Sequence, residues 1–256
     1  MTVTLACTMD GPRDAPVLVL GNSLGTTTAM WEPQLPALAR RFRVVRYDHR
    51  GHGRSPVPDG PYRLEWLGAD LLALLDSLGQ RRVHLAGLSL GGMVTMWLAA
   101  HAPERVDRIA LLCTSALLGP PQMWEQRAET VRTRGVEAIS DVMVGRWFTP
   151  EFAVTKPDLV DWARKQLTAT PAAGYAGCCA AIQTMDLIAD LDKITAPALV
   201  IAGARDPATP PEHAERIATG IAGARLEIVP DAAHLANIEQ PAAVTRLLLE
   251  HFGGEQ

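Results

Sequence analysis

Short apolar runs alternate along this chain with segments whose apolar residues recur at helical spacing, and this alternation constrains the fold most strongly. Runs that are apolar throughout are typical of parallel strands buried on both faces. The predicted strands are residues 17–20, 44–47, 83–86, 109–113, 198–202 and 226–229. The predicted helices are residues 64–78, 89–101, 212–219 and 241–252. Alternating β and α units predict an α/β fold with a mostly parallel, doubly wound sheet.

The stretch from residue 118 to residue 191 departs from this alternation, because it shows no convincing strand pattern. Prolines divide it into short helical segments, and it is rich in tryptophan. We predict that residues 118–191 form a helical cap, inserted into a core made of residues 1–117 and 192–256. The alternative is a set of further crossover helices. The last residues, 253–256, are expected to fray.

Composition narrows the classes of function. The chain has 256 residues, 48% of them hydrophobic, and a net charge of −4, which favours a sizeable core and disfavours a nucleic-acid partner. No apolar run approaches the roughly 20 residues of a membrane span, and residues 1–5 lack the basic start of a signal peptide. The four cysteines show no C-x-x-C metal spacing, so we expect reduced core thiols. These features predict a cytoplasmic protein that binds neither nucleic acid nor a membrane.

The run Gly87-Leu88-Ser89-Leu90-Gly91 lies between a predicted strand and a predicted helix. A serine on so sharp a turn has strained backbone angles, and small neighbours avoid a clash with it. This context predicts a nucleophile elbow, in which the Ser89 hydroxyl is raised toward a substrate. The alternative is a glycine-rich β–α turn whose serine is unreactive.

A serine nucleophile needs a base, and the partners of an elbow serine follow in the order acid and then histidine. Asp206 comes just after the strand 198–202, and His234 follows the strand 226–229. Because the carboxyl ends of parallel strands share one edge of the sheet, we expect Ser89, Asp206 and His234 to meet there. Asp231, the rival acid, is so close to His234 that it more plausibly shapes the turn. The other histidines are His49, His52, His84, His101, His213 and His251, of which the first two lie in a loop bordering this edge.

Acyl transfer also needs an oxyanion hole made of two amides. One is predicted to be the N–H of Leu90, directly after the nucleophile, and the other comes from the loop after the first core strand. That loop contains Ser23 and Leu24 between small residues, which let its backbone approach a substrate closely. We favour Leu24 as the donor, with Ser23 second.

A resemblance emerges when these segments are taken together. The run 22–26, the run Asp48-His49-Arg50-Gly51-His52-Gly53-Arg54-Ser55, the elbow, Gly203-Ala204-Arg205-Asp206 and His234 resemble the α/β-hydrolase superfamily along essentially the whole chain. The runs Arg146-Trp147-Phe148-Thr149-Pro150 and 174–182, with Asn22-Ser23-Leu24-Gly25, are similar to those of 3-oxoadipate enol-lactonases. The implied architecture is an α/β-hydrolase fold with an inserted helical cap.

The resemblance implies a serine hydrolase that opens 3-oxoadipate enol-lactone to 3-oxoadipate through a triad and an acyl-enzyme. It implies a role in aromatic-compound degradation, with neither a metal nor an organic cofactor. The partner would be a small lactone bearing a carboxylate, for which Arg146 is the first candidate ligand because arginine binds carboxylates in a bidentate manner. The other candidates for substrate contacts are Ser23, Trp124, Trp147, Trp162, Arg127, Arg132, Arg134 and Arg164.

Other readings remain open at this point. Within enzymes, they are a carboxylesterase, a perhydrolase-like enzyme or a hydrolase of carbon–carbon bonds on the same fold. From a different class, the chain could be a ligand sensor that retains a triad. A serine rather than an aspartate at the elbow argues against haloalkane dehalogenase and epoxide hydrolase chemistry.

Overall fold

The sheet of the computed structural model, which describes residues 2–253, has seven strands in the order β1-β3-β2-β4-β5-β6-β7. The strands are β1 (Cys7–Asp10), β2 (Val17–Gly21), β3 (Arg43–Tyr47), β4 (Val83–Leu88), β5 (Val106–Leu112), β6 (Ala198–Gly203) and β7 (Arg225–Val229). Only β1 runs antiparallel to its neighbour, and the remaining pairs are parallel. The prediction of a mostly parallel sheet is therefore confirmed.

Both edge strands differ from the prediction. The sequence pattern missed β1, because its residues Cys-Thr-Met-Asp form no apolar run. Strand β7 was expected to be buried on both faces, but this was wrong, since Ile228 is 43% exposed and Arg225 is exposed too. An edge strand has a neighbour on one side only, so polar residues can remain in solvent there.

Helices connect the strands as the alternation predicts. They are α1 (Leu35–Leu38), α2 (Leu64–Ser77), α3 (Leu90–His101), α4 (Pro121–Arg134), α5 (Glu137–Trp147), α6 (Pro150–Thr155), α7 (Pro157–Thr168), α8 (Ala172–Thr184), α9 (Pro211–Gly220), α10 (Ala236–Glu239) and α11 (Pro241–Gly253). Short 3-10 helices span Thr28–Trp31, Pro103–Arg105 and Ile188–Lys193. The sequence missed α1, because four residues cannot display a helical period.

Helices α4 to α8 all lie between β5 and β6, and the described chain forms no strand in this interval. Helix α4 packs along α8, and α5 packs against α7. The division into a core and a cap over residues 118–191 stays a prediction. Residue 1 and residues 254–256, which belong to the predicted core, lie outside the described residues. Residues 254–256 include most of the tail that was expected to fray.

All four cysteines are unpaired, and Cys113, Cys178 and Cys179 are buried. Cys7 is only half-buried, because it lies on the edge strand β1. Burial raises the pKa of the Cys179 thiol to about 12, which makes it a weak nucleophile near neutral pH. Among residues 2–253, the helices lack the combination of length and hydrophobicity that a membrane span requires.

Candidate active site

Ser89 lies at the junction between β4 and α3, with φ of 55° and ψ of −115°. This left-handed conformation is strained for a residue with a side chain, and it turns the chain sharply from strand to helix. Two hydrogen bonds from the neighbouring strand's end hold the turn. The Ser89 N–H donates to Leu112 O at 2.9 Å, and Thr114 Oγ1 donates to Ser89 O at 2.7 Å. The strand–turn–helix context expected of a nucleophile elbow is therefore present.

The glycines of the elbow permit close backbone approach. A Cβ on Gly87 would fall on the backbone of Gly91, and a Cβ on Gly91 would fall on the carbonyl of Gly21. The Gly91 N–H donates to Asn22 O at 2.9 Å. These contacts place the first turn of α3 directly against the loop that follows β2, which was predicted to supply an oxyanion donor.

Asp206 and His234 meet at the carboxyl ends of β6 and β7. Nδ1 of His234 lies 2.8 Å from Oδ2 of Asp206, and the imidazole donates because a carboxylate can only accept. Thr209 donates its hydroxyl to the same oxygen at 2.7 Å and its N–H to Oδ1 at 3.1 Å. The Ala208 N–H also donates to Oδ1, at 2.8 Å. The carboxylate is thus held rigidly beneath the ring.

The charge state of Asp206 follows from these contacts. Burial by itself would raise the pKa of Asp206, but His234 and the hydrogen bonds from His234 and Thr209 lower it below its ordinary value. An ionised acid keeps the Nδ1 proton of His234 in place, so Nε2 is left free to act as a base. Asp231, the rival acid, is exposed and adopts φ of 51°, as a turn-shaping residue does.

The backbone amides near Ser89 distinguish the two oxyanion candidates. The Ser23 N–H is directed to Met30 Sδ at 3.2 Å. Within residues 2–253, the Leu24 N–H has no acceptor, and neither does that of Leu90 at the start of α3. Ser23, Leu24 and Ser89 line the same cavity. This arrangement favours Leu24 over Ser23, although the assignment of the oxyanion hole stays a prediction.

His49 and His52 form hydrogen bonds with the loop that follows β2, which contains residues 22–25 and is called the oxyanion loop below. His52 Nε2 accepts the N–H of Gly25 at 3.0 Å, and His49 Nε2 donates to Asn22 O at 3.0 Å. Both rings are buried, and burial lowers the pKa of His52 to about 4 and that of His49 to about 3. The neutral form of His52 is the one that can accept from Gly25, so the surroundings favour the form the loop needs.

Ser89 and His234 line one cavity of about 60 Å³. The predicted contacts Ser23, Trp124, Arg146 and Trp147 all line it, but Trp162 does not. Sequence reasoning missed several apolar and polar wall residues, for which no motif provides a signal. They are Leu118, Met123, Met143, Tyr175, Ile182, Ala208 and Thr209.

Two arginines, Arg127 and Arg146, line this cavity, and both are half-buried. Arg127 lies over the ring of Trp124, with its guanidinium carbon 4.3 Å from the centroid. Neither arginine forms an ion pair with any carboxylate among residues 2–253. The other candidates differ: Arg132 pairs with Glu129 and Arg164 with Asp141, while Arg134 is exposed.

The described chain contains no group of three or more His, Cys, Asp or Glu residues that could hold a metal ion. The site therefore offers a hydroxyl, an imidazole with an orienting carboxylate, backbone amides and two cations. Chemically, this set suits acyl transfer to and from Ser89.

Comparison with known proteins agrees with this geometry. A family model described as the alpha/beta hydrolase fold matches residues 16–241. The chain belongs to the α/β-hydrolase fold family. This α/β-hydrolase is 40% identical over 233 residues to 3-oxoadipate enol-lactonase 2 of Acinetobacter baylyi. The aligned residues make up 91% of this chain and 87% of the relative.

Solved structures resemble the α/β-hydrolase along nearly its whole length. The enol-lactonase from Burkholderia xenovorans LB400 has a TM-score of 0.96 at 41% identity, covering 98% of this chain and 97% of that one. A hydrolase from Pseudomonas aeruginosa PA01 has a TM-score of 0.95 at 48% identity, covering 98% and 95%. The expected resemblance to enol-lactonases and the expectation of a hydrolase enzyme are confirmed.

Proposed function

We propose that this α/β-hydrolase opens 3-oxoadipate enol-lactone to 3-oxoadipate during the degradation of aromatic compounds. The names of its relatives support this substrate, since 3-oxoadipate enol-lactonase 2 of Acinetobacter baylyi aligns with 91% of the chain. The site residues support the reaction class, because Ser89 and His234 line one cavity and His234 is oriented by Asp206.

The observation that carries the substrate class is the pair Arg127 and Arg146 in the cavity that also contains Ser89. Half-buried guanidinium groups without a carboxylate partner are well suited to bind a substrate carboxylate. The proposed lactone bears one carboxylate beside its ester carbonyl. A neutral ester would leave both charges uncompensated in a narrow cavity, which costs binding free energy.

In the first half of the reaction, His234 Nε2 takes the proton of Ser89 as Oγ attacks the lactone carbonyl. The amides of Leu24 and Leu90 stabilise the oxyanion, an effect of about 3 kcal/mol per donor in such sites. The tetrahedral intermediate collapses with cleavage of the ring C–O bond. The leaving oxygen departs as an enolate and takes the proton from His234, and the resulting enol tautomerises to the ketone of the acyl chain.

In the second half, His234 removes a proton from water, and the resulting hydroxide attacks the acyl-enzyme carbonyl. Collapse of the second tetrahedral intermediate returns the proton to Ser89 Oγ and releases the new carboxylate. Asp206 stabilises the imidazolium in both halves through its contact with Nδ1. Because an enolate is a better leaving group than an alkoxide, acid assistance by His234 matters less in ring opening than in the second collapse, where Ser89 Oγ is the leaving oxygen.

Steady-state kinetics on 3-oxoadipate enol-lactone and on p-nitrophenyl acetate test the proposal. We expect a kcat/KM for the lactone that exceeds that for the neutral ester by about 100-fold or more. Ser89→Ala should abolish both activities while circular dichroism stays that of the native protein. A larger kcat/KM for the ester would instead support a general carboxylesterase. Full activity in Ser89→Ala would reject the serine mechanism, and lactone binding without turnover would support a sensor.

A further inference from the structure

The carboxylate of Glu239 joins the loop carrying His234 to the segment that enters α6. Glu239 is the last residue of α10 and is 6% exposed. Its Oε2 accepts the N–H of Ala233, the residue before His234, at 2.8 Å. Its Oε1 accepts the N–H of Thr149 at 3.0 Å and also the Thr149 hydroxyl. One buried side chain thus bridges two segments that are far apart in sequence.

The groups that bind Glu239 are all donors, and this makes a carboxylate necessary. A carboxylate accepts at both oxygens, whereas a glutamine amide has an NH₂ group at one end. In either orientation, that NH₂ would face a backbone N–H, of Ala233 or of Thr149. A glutamine at position 239 would therefore break one side of the bridge and leave a buried donor unsatisfied.

A second contact ties the same two segments together. The Leu235 N–H donates to Trp147 O at 3.0 Å. Trp147 and His234 both line the cavity, whereas Glu239 does not. The residues on either side of His234 are thus bonded to the stretch 147–149, one directly and one through Glu239.

We propose that Glu239 is a positioning residue for His234, which it holds in register with Ser89 by fastening the histidine loop to residues 147–149. The inference rests on the proposed function, in which His234 is the base. Displacing a base by about 1 Å can lower a rate on the order of 100-fold. Because Glu239 does not line the cavity, its loss acts on kcat more than on KM.

The chain offers a control in an exposed ion pair that joins α6 to the loop carrying Asp206. Arg205, next to Asp206, lies 2.8 Å from Glu151 in α6, and these side chains are 42% and 68% exposed. Exposed pairs of this kind contribute little to stability. The variant Glu151→Gln therefore removes an exposed link to α6 close to the site without touching the buried bridge.

The test measures kcat per active site, counted by titration with a fluorophosphonate, on both p-nitrophenyl acetate and the lactone. In Glu239→Gln we expect kcat per site to fall by about 10- to 100-fold, with KM within about threefold. The kcat per site of Glu151→Gln should stay within about twofold of the wild-type value. If Glu239→Gln only reduces the number of titratable sites, with unchanged kcat per site, the residue is structural and the proposal is overturned.

A second pair of variants keeps the test decisive if Glu239→Gln does not fold. Thr149→Val removes one donor to the carboxylate, and Thr149→Ser retains it. We expect kcat in Thr149→Val to be about 3- to 10-fold below that in Thr149→Ser, and equal values would overturn the proposal. His234→Ala separates the two hypotheses. Wild-type turnover in that variant would reject the proposed function, whereas an inactive His234→Ala beside a fully active Glu239→Gln would reject only the positioning role.

Discussion

Nδ1 of His234 lies 2.8 Å from Oδ2 of Asp206, although 28 positions separate the two residues along the chain. The contact exists because β6 and β7 are parallel neighbours, so the loops that follow them leave the same edge of the sheet. Thr209, three residues after Asp206, adds a hydroxyl donor to the same oxygen and fixes the carboxylate before substrate arrives.

This relationship makes Asp206→Asn a sharp test of the triad. An asparagine directs either an NH₂ at Nδ1, which selects the wrong tautomer, or a neutral oxygen that stabilises the imidazolium poorly. We expect kcat to fall by about 10⁴-fold, measured with the lactone or with p-nitrophenyl acetate. The control is Asp231→Asn, which changes an exposed turn residue and should alter kcat by less than about twofold. The opposite pattern would move the orienting acid to Asp231.

The arginines of the cavity should discriminate between charged and neutral substrates. Arg127→Gln and Arg146→Gln are each expected to lower kcat/KM for the carboxylate-bearing lactone by about 10- to 100-fold, the value of a hydrogen bond to a charged group. The kcat/KM for p-nitrophenyl acetate should change by less than about threefold. Arg132→Gln, on the same helix as Arg127 but paired with Glu129 in solvent, serves as the control. Equal losses on both substrates would mean that these arginines support the fold rather than the substrate.

Acid should destabilise this protein partly through His52. Its pKa is lowered from 6.5 to about 4 in the folded state by burial, so between these values only the unfolded chain takes up the proton. Stability is therefore present above the unfolded pKa and is lost as the pH falls through this window. Replacing His52 with glutamine keeps an acceptor for the Gly25 N–H but removes the titration.

Urea unfolding at pH 7 and at pH 5 measures this effect. From pH 7 to pH 5, the free energy of unfolding of wild type should fall by about 2 kcal/mol more than that of His52→Gln. The remaining pH dependence in the variant comes from the other buried histidines, including His49. An identical loss in the two proteins would show that His52 is already protonated in the folded state or does not titrate differently on unfolding.

The close approach of the elbow to the oxyanion loop should make Gly91 intolerant of any side chain. In Gly91→Ala the new methyl group meets the carbonyl of Gly21, so we expect a loss of roughly 2–3 kcal/mol in unfolding free energy, measured by thermal or urea denaturation. Gly145→Ala is the matched control, since its Cβ would meet nothing within 4 Å on an exposed face of α5. Gly145→Ala should raise the free energy of unfolding by about 0.5–1 kcal/mol. A neutral Gly91→Ala would mean that the elbow can relax away from the loop.

Sequence reasoning reached the elbow and the two strand-end loops because these depend on local patterns. The apolar run 83–86, followed by Gly87 and Ser89, predicts a strand and a sharp turn by local sterics alone. It could not find Thr209 as a partner of Asp206, although the Asp-x-x-Thr spacing is a usable signal once the acid is known. It ranked Arg146 ahead of Arg127, but both line the cavity, because α4 carries Arg127 and α5 carries Arg146 to the same pocket.

The sequence by itself determined the alternating elements, the parallel sheet and the residue types suited to acyl transfer, because hydrophobic periodicity and backbone sterics act over a few neighbours. Only the tertiary structure decided which distant groups meet. Chain packing brings together the segments joined by the Glu239 bridge to Thr149 and by the His52 contact with Gly25. It also places two arginines in the cavity that Ser89 lines. Such contacts depend on the directions and burial of side chains, which a local pattern does not encode.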